Sequence, residues 1–141
     1  PIIPCSRSLT LYGYHKNYAE IQKKGLVVIG ESEKFVQQLH SMGCKIGLSL
    51  CGCDVSEVQA KYIKSLMTNR IILALDEGLD EEQIRSQAEK LIVNNTMFQN
   101  KVGYIYDKDN VIIPKGSKGS PSDFGKRAFS ELCKSHVVWI N

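Results

Sequence analysis

With 141 residues, 43% hydrophobic and 23% charged, the chain suits one globular domain with a single sizeable core and leaves no room for a second of equal size. A formal net charge of +3 falls short of the dense basic surface of a committed nucleic-acid binder, and the longest apolar runs, such as 71–75, cannot span a bilayer. No signal segment opens the sequence, so a cytoplasmic location with no membrane partner is expected; the start on Pro1-Ile2-Ile3-Pro4, without an initiator methionine, reads as an excerpt of a longer polypeptide.

Residues 1–8 form an irregular lead-in, 9–14 a short apolar stretch, and a helix through Tyr18, Ala19 and Ile21 ends at Gly25. The run Leu26-Val27-Val28-Ile29 before Gly30 has the pattern of a strand buried on both faces. Ser32 then caps a helix carrying Phe35, Val36, Leu39 and Met42, which Gly43 ends. A second strand is expected over 45–50, and Asp54 or Ser56 caps a helix to about Met67. The clearest strand, 70–75, is followed by a helical pattern over 79–97, and a fourth strand occupies 102–106. Residues 111–113 suggest a short edge strand, 114–123 a loop of Gly, Ser, Lys and Pro, and Ser122 or Asp123 the cap of a final helix. Residues 137–140 read either as a last strand or as a docking segment. Alternating strands and helices with short connections predict an α/β fold, a mainly parallel four-stranded sheet with helices on both faces.

On this reading Glu31, Asp76 and Asp107 all stand at carboxyl ends of parallel strands, with Glu33, Asp80 and Asp109 close behind. That edge is where open α/β sheets bind ligands. Carboxylates crowded together repel unless a cation intervenes, and hard oxygen ligands without His or Cys favour Mg²⁺ or Mn²⁺. Spacing alone leaves two possibilities open: metal-assisted phosphate chemistry, or a receiver-like domain with a phosphoacceptor aspartate. The five cysteines (Cys5, Cys44, Cys51, Cys53 and Cys133) lack paired zinc-ligand spacing and read as reduced, mostly buried thiols.

Leu11-Tyr12-Gly13-Tyr14, Val27-Val28-Ile29-Gly30-Glu31, the helix end Leu39-His40-Ser41-Met42-Gly43, Ala74-Leu75-Asp76-Glu77-Gly78 and the loop from Pro114 to Asp123 occur in an order that resembles the Toprim region of DnaG-type DNA primases. Glu31-Ser32-Glu33-Lys34 looks most like phage-encoded forms. The resemblance covers roughly residues 9–125 and implies a Rossmann-like Toprim domain over 26–125, between a lead-in segment and helix over 1–25 and a C-terminal helix and tail over 126–141.

By position, Glu31 matches the family's single glutamate, held to act in acid/base chemistry or metal positioning, and Asp76 the first aspartate of its Asp-x-Asp metal-binding pair. Asp123 matches an acid of the distal loop. The chain departs from the family at Gly78, where the second aspartate of the pair belongs, and at Phe35, where an aspartate is usual; Asp80 and Glu33 are the candidate substitutes. Asp107 rests on its strand-end position alone, and Asp109 is a further nearby acid. The implied activity is Mg²⁺- or Mn²⁺-dependent synthesis of RNA primers from nucleoside triphosphates on single-stranded DNA. Glu31, Asp76, Asp80 and Asp107 would hold metal, and Lys34, Lys115 and Lys118 would contact triphosphate or template backbone. A replicative helicase is the implied partner and a bacterial or phage-infected cell the implied setting. Another Toprim enzyme, a nuclease or topoisomerase, and a metal-binding Toprim-like module without turnover stand as alternatives.

Overall fold

Four runs rich in branched residues pair side by side: β1 (Leu26–Gly30), β2 (Gly47–Ser49), β3 (Arg70–Ala74) and β4 (Lys101–Ile105). All three of their pairings are parallel, in the order β2-β1-β3-β4. Val27, Val28, Ile29, Ile71, Ile72, Leu73 and Val102 are each at most 5% exposed, as expected for strands covered on both faces. The computed structural model describes residues 11–141. The predicted lead-in over 1–8, the first residues of the 9–14 stretch and Cys5 lie outside the described residues.

Among the described residues five helices cover the sheet: α1 (Tyr14–Lys24), α2 (Glu33–Ser41), α3 (Glu57–Ser65), α4 (Glu81–Glu89) and α5 (Gly125–Ser135). α1, α3 and α4 are linked to one another through Gln22 on Leu66 and through Gln87 on Val55, whereas α2 meets α5 in an edge-to-face contact of Phe35 with Phe129. Gly25 ends α1 in the left-handed conformation with φ 63°, and Ser56 begins α3 with a capping box shared with Gln59. Ser32 occupies the N-cap of α2 as expected. Among the described residues no helix is long and apolar enough to cross a membrane.

Among the described residues the sheet has five strands rather than the predicted four. β5 (Val137–Trp139) adds to β4 in antiparallel sense, setting Trp139 opposite Gly103. A side chain at Gly103 would lie 2.7 Å from Val137 Cγ1 and 2.9 Å from Trp139 Cε3, so the glycine admits these two residues onto the strand. The helix expected over 79–97 stops at Glu89, and Asn100 gathers the chain beyond it by donating to Leu91 O and accepting from Val93 N. The last helix begins after Phe124, because Ser122 and Asp123 are engaged in the preceding loop. The expected α3 end near Met67 falls at Ser65. Cys44, Cys51, Cys53 and Cys133 are free thiols, half-buried rather than fully enclosed.

The predicted edge strand at 111–113 is absent because its amides go to a side chain. Asp107 Oδ1 accepts from Val111 N at 3.0 Å, and Oδ2 accepts from Ile112 N and Ile113 N at 2.7 Å each. Burial opposes ionisation of Asp107, but these three amides and nearby His136 more than offset it and hold the carboxyl below its ordinary value. Asp107→Ala should therefore cost about 2–4 kcal/mol in urea unfolding at pH 7, since it orphans three amides at once. A lowered carboxyl stabilises the fold above the ordinary carboxylate range and loses that contribution as pH falls through the folded value. Wild type should accordingly lose its advantage over the variant on acidification; a pH-independent gap would contradict this account.

Candidate functional site

The β1/β3 register sets Gly30 beside Ala74, so the chain leaves both strands at the same edge. Glu31 and Asp76 follow immediately, and Glu31 Oε2 accepts the Asp76 backbone amide at 2.6 Å. The Asp76 side chain is half-buried, and its Oδ1 is shielded from solvent with no hydrogen-bond partner among the described residues. Burial first, then the charges of Glu31 and Asp123, push its carboxyl up to about 6, while Lys34 pulls the other way.

Asp123 arrives from the opposite end of the sequence. Its Oδ2 accepts from Ser120 N at 2.8 Å, and its Oδ1 faces Gln38 Nε2 and Lys34 Nζ, each at 3.1 Å. Burial raises this carboxyl, and the Ser120 amide, Gln38 and Lys34 more than reverse the effect. The 114–123 loop is clasped on two sides. Glu77 N donates to Gly119 O at 2.9 Å and Glu77 Oε1 accepts from Lys118 N at 3.0 Å, while Ser122 Oγ donates to Gln38 Oε1 on α2. Sequence reasoning missed Gln38 and Glu77 as parts of this edge. Nothing marks a glutamine on a helix as the partner of a loop 85 positions away, whereas Glu77 stood visibly in the strand-end cluster.

A cavity of about 300 Å³ opens beside Asp76 between the ends of β3 and β4, and Glu77, Gly78, Tyr106, Lys108 and Lys115 help to line it. Lys115 thus shares a cavity with Asp76, and Lys118 passes next to Gly78. Asp80 sits at the N-cap of α4, where its amide is accepted by Gln83 Oε1; Glu33 occupies the exposed first turn of α2, and Asp109 is exposed in the turn after β4. Asp107 also borders the cavity, with both oxygens committed to its own turn.

The two departures from the primase pattern have different structural characters. Gly78 has φ 109°, a conformation that side-chain-bearing residues rarely adopt. Phe35 is wholly buried, with its ring under Gly30, where a β-carbon would stand 2.3 Å from Phe35 Cγ. Among the described residues no group of three or more His, Cys, Asp or Glu side chains forms a ready-made metal cage. The Glu31–Asp76 pair with its unbonded Oδ1 nonetheless fits an oxygen-seeking divalent cation that completes its shell with water and phosphate.

No family model matches the chain, and no curated protein matches its sequence. Solved structures match its fold. The Aquifex aeolicus primase, with its zinc-binding and RNA polymerase domains, gives a TM-score of 0.72 at 18% identity over 99% of this chain and 33% of that one. A DnaG catalytic core gives 0.68 at 16% identity over 96% of this chain and 43% of that one. The chain has the fold of DnaG-type primase catalytic cores. A DNA primase domain from Pseudomonas aeruginosa agrees, with a TM-score of 0.69 at 18% identity over 99% of this chain and 42% of that one. The chain therefore spans less than half the length of these primase structures, and the expected Toprim fold is the one observed.

Proposed function

We propose that the chain is the metal-binding Toprim portion of a DNA primase, serving synthesis of RNA primers from nucleoside triphosphates on single-stranded DNA. The observation that carries this reading is the convergence of Glu31 and Asp76 on one strand-end edge, where Asp76 keeps a buried, unbonded oxygen. Glu31 and Asp76 would hold Mg²⁺ or Mn²⁺, which when bound neutralises the triphosphate and the departing pyrophosphate. Asp123 contributes a third charge to the same edge. Asp107 is left out of the proposed ligands because its carboxylate secures a turn. Asp80 at the N-cap of α4, Glu33 in the first turn of α2 and Asp109 in the turn after β4 would supply outer negative charge.

The chain's own groups do the positioning. Glu77 pins the lysine loop to the end of β3, which holds Lys115 and Lys118 near Asp76 as point charges for phosphate. Template and triphosphate would thus approach over the loop while the primer's hydroxyl is presented at the carboxylates. A replicative helicase is the partner this role implies. Gly78 and Phe35 favour a second reading, a Toprim-like module that binds metal without turnover; nuclease or topoisomerase chemistry is the other enzyme alternative.

Thermal unfolding at pH 7.5 with increasing Mg²⁺ or Mn²⁺ separates these from a domain with no metal role. Wild type should gain stability in a saturable way, by about 2.7 kcal/mol at a hundredfold excess over Kd. Glu31→Gln keeps an oxygen for the Asp76 amide but removes the charge, so most of that gain should vanish. An unresponsive wild type, or an equal response in both proteins, would sink the proposal. Primer synthesis by the intact parent protein, lost in Glu31→Gln, would then distinguish primase from a module without turnover.

A further inference from the structure

We propose that Lys34 is a built-in countercharge for Asp123, so that the acidic edge takes one divalent cation rather than two. This deepens the metal-site reading above and rests on it. The charges acting on Asp76 are Glu31 and Asp123 on one side and Lys34 on the other. Among the charges that shift Asp76, its own carboxylate with Glu31 and Asp123 stands against the Lys34 ammonium, a local excess of two negative charges that one Mg²⁺ or Mn²⁺ balances.

Geometry supports this division. Lys34 Nζ lies 3.1 Å from Asp123 Oδ1, an oxygen already receiving Gln38 Nε2 at 3.1 Å, while Asp123 Oδ2 is taken by the Ser120 amide at 2.8 Å. Asp123 is thus satisfied within the protein, whereas Asp76 keeps a buried oxygen without a partner. The positions that would enlarge the carboxylate set do not do so: Phe35 is sealed in the core, and Gly78 has no side chain. Lys34 is drawn to this role by its place in the first turn of α2, on the same helix as Gln38, so that one helix presents both of the groups holding Asp123. A lysine serving only incoming phosphate would need no such partner.

Calorimetric titration of the protein with Mg²⁺ alone, and counting of bound Mn²⁺ by electron paramagnetic resonance, test this directly. Wild type should bind one ion per chain. Lys34→Gln should bind the first ion about tenfold more tightly or admit a second, because a neighbouring positive charge has gone. Asp123→Asn should still bind one ion, several-fold more weakly, and adding Lys34→Gln should return the affinity to near the wild-type value, because the net charge at the edge is then the same. Two ions in wild type, or unchanged stoichiometry and affinity in Lys34→Gln, overturn the role of Lys34 while leaving the metal site intact. No bound ion in wild type overturns both.

Discussion

Asp76→Asn is expected to make the metal-free protein more stable at pH 7.5 while abolishing its response to Mg²⁺. Asp76 has its carboxyl raised from 3.8 to about 6 by burial, Glu31 and Asp123. Between those values the folded chain keeps a proton that the unfolded chain has released, so stability falls as pH rises through the window and the deficit is complete above it. A shift of that size corresponds to about 3 kcal/mol without screening. Partial solvent contact at the sheet edge reduces the expected gain to about 1 kcal/mol, or roughly 2–5 °C in the unfolding midpoint. The advantage of the variant should shrink from pH 7.5 to pH 5, where wild type already carries the proton. Protons and Mg²⁺ compete for the same carboxylate, so wild-type affinity for the ion should also fall below pH 6. A variant less stable than wild type at pH 7.5, or one that still responds to Mg²⁺, would contradict the placement of strain and function on this one side chain.

The second large effect concerns Phe35→Asp, which would restore the acid that the primase pattern carries at this position. We expect it to cost more than 4 kcal/mol and to leave little folded protein. Phe35 is 0% exposed, lies edge-on to Phe129 with ring centroids 6.1 Å apart, and fills the space that Gly30 leaves open. Removing the ring alone costs about 3–5 kcal/mol, and a carboxylate in its place must be desolvated or protonated. Phe35→Leu, which keeps an apolar group, should cost far less and serves as the control for packing. Urea unfolding and soluble yield give the comparison. A well-folded Phe35→Asp with wild-type stability would mean that the ring is not the structural wedge between α2, α5 and β1 described above.

Much of the fold was legible because its strands announce themselves. Leu26 to Ile29 and Ile71 to Leu75 are uninterrupted apolar runs ending on glycine or acid, and a central parallel strand has few other ways to be written. Gly25 was equally plain, and the cap of α3 was narrowed to Asp54 or Ser56, of which Ser56 is the one used, since helix ends impose recognisable local chemistry. Strand ends alone put Glu31, Asp76 and Asp107 at one edge, and the resemblance singled out Glu31 and Asp76 as the pair. What stayed hidden depends on distant partners. Asp107 looked like another edge carboxylate until the amides of 111–113 were found on it, and the same contacts erased the strand predicted there. Gln38 carries no signal of its own until the loop folds over α2. A last strand was one of two readings of 137–140 and is the one observed; what decides it, the bare backbone of Gly103 opposite Trp139, gives no signal of its own in the sequence.

The clasp around the 114–123 loop also bears on the order in which the site comes into being. Glu31 and Asp76 are brought together by the central pair of strands, whereas Asp123 is held by Lys34 and Gln38 across a separation of 85 residues from the latter. Closing that segment carries a slightly larger entropic cost than the 45-residue separation of Glu31 and Asp76. Residue 123 is also made after residues 31 and 76, so the third acid can be joined to its ammonium partner only once both carboxylates of the pair are present in the chain. The site's final charge balance waits on residue 123, which lies 47 positions beyond Asp76.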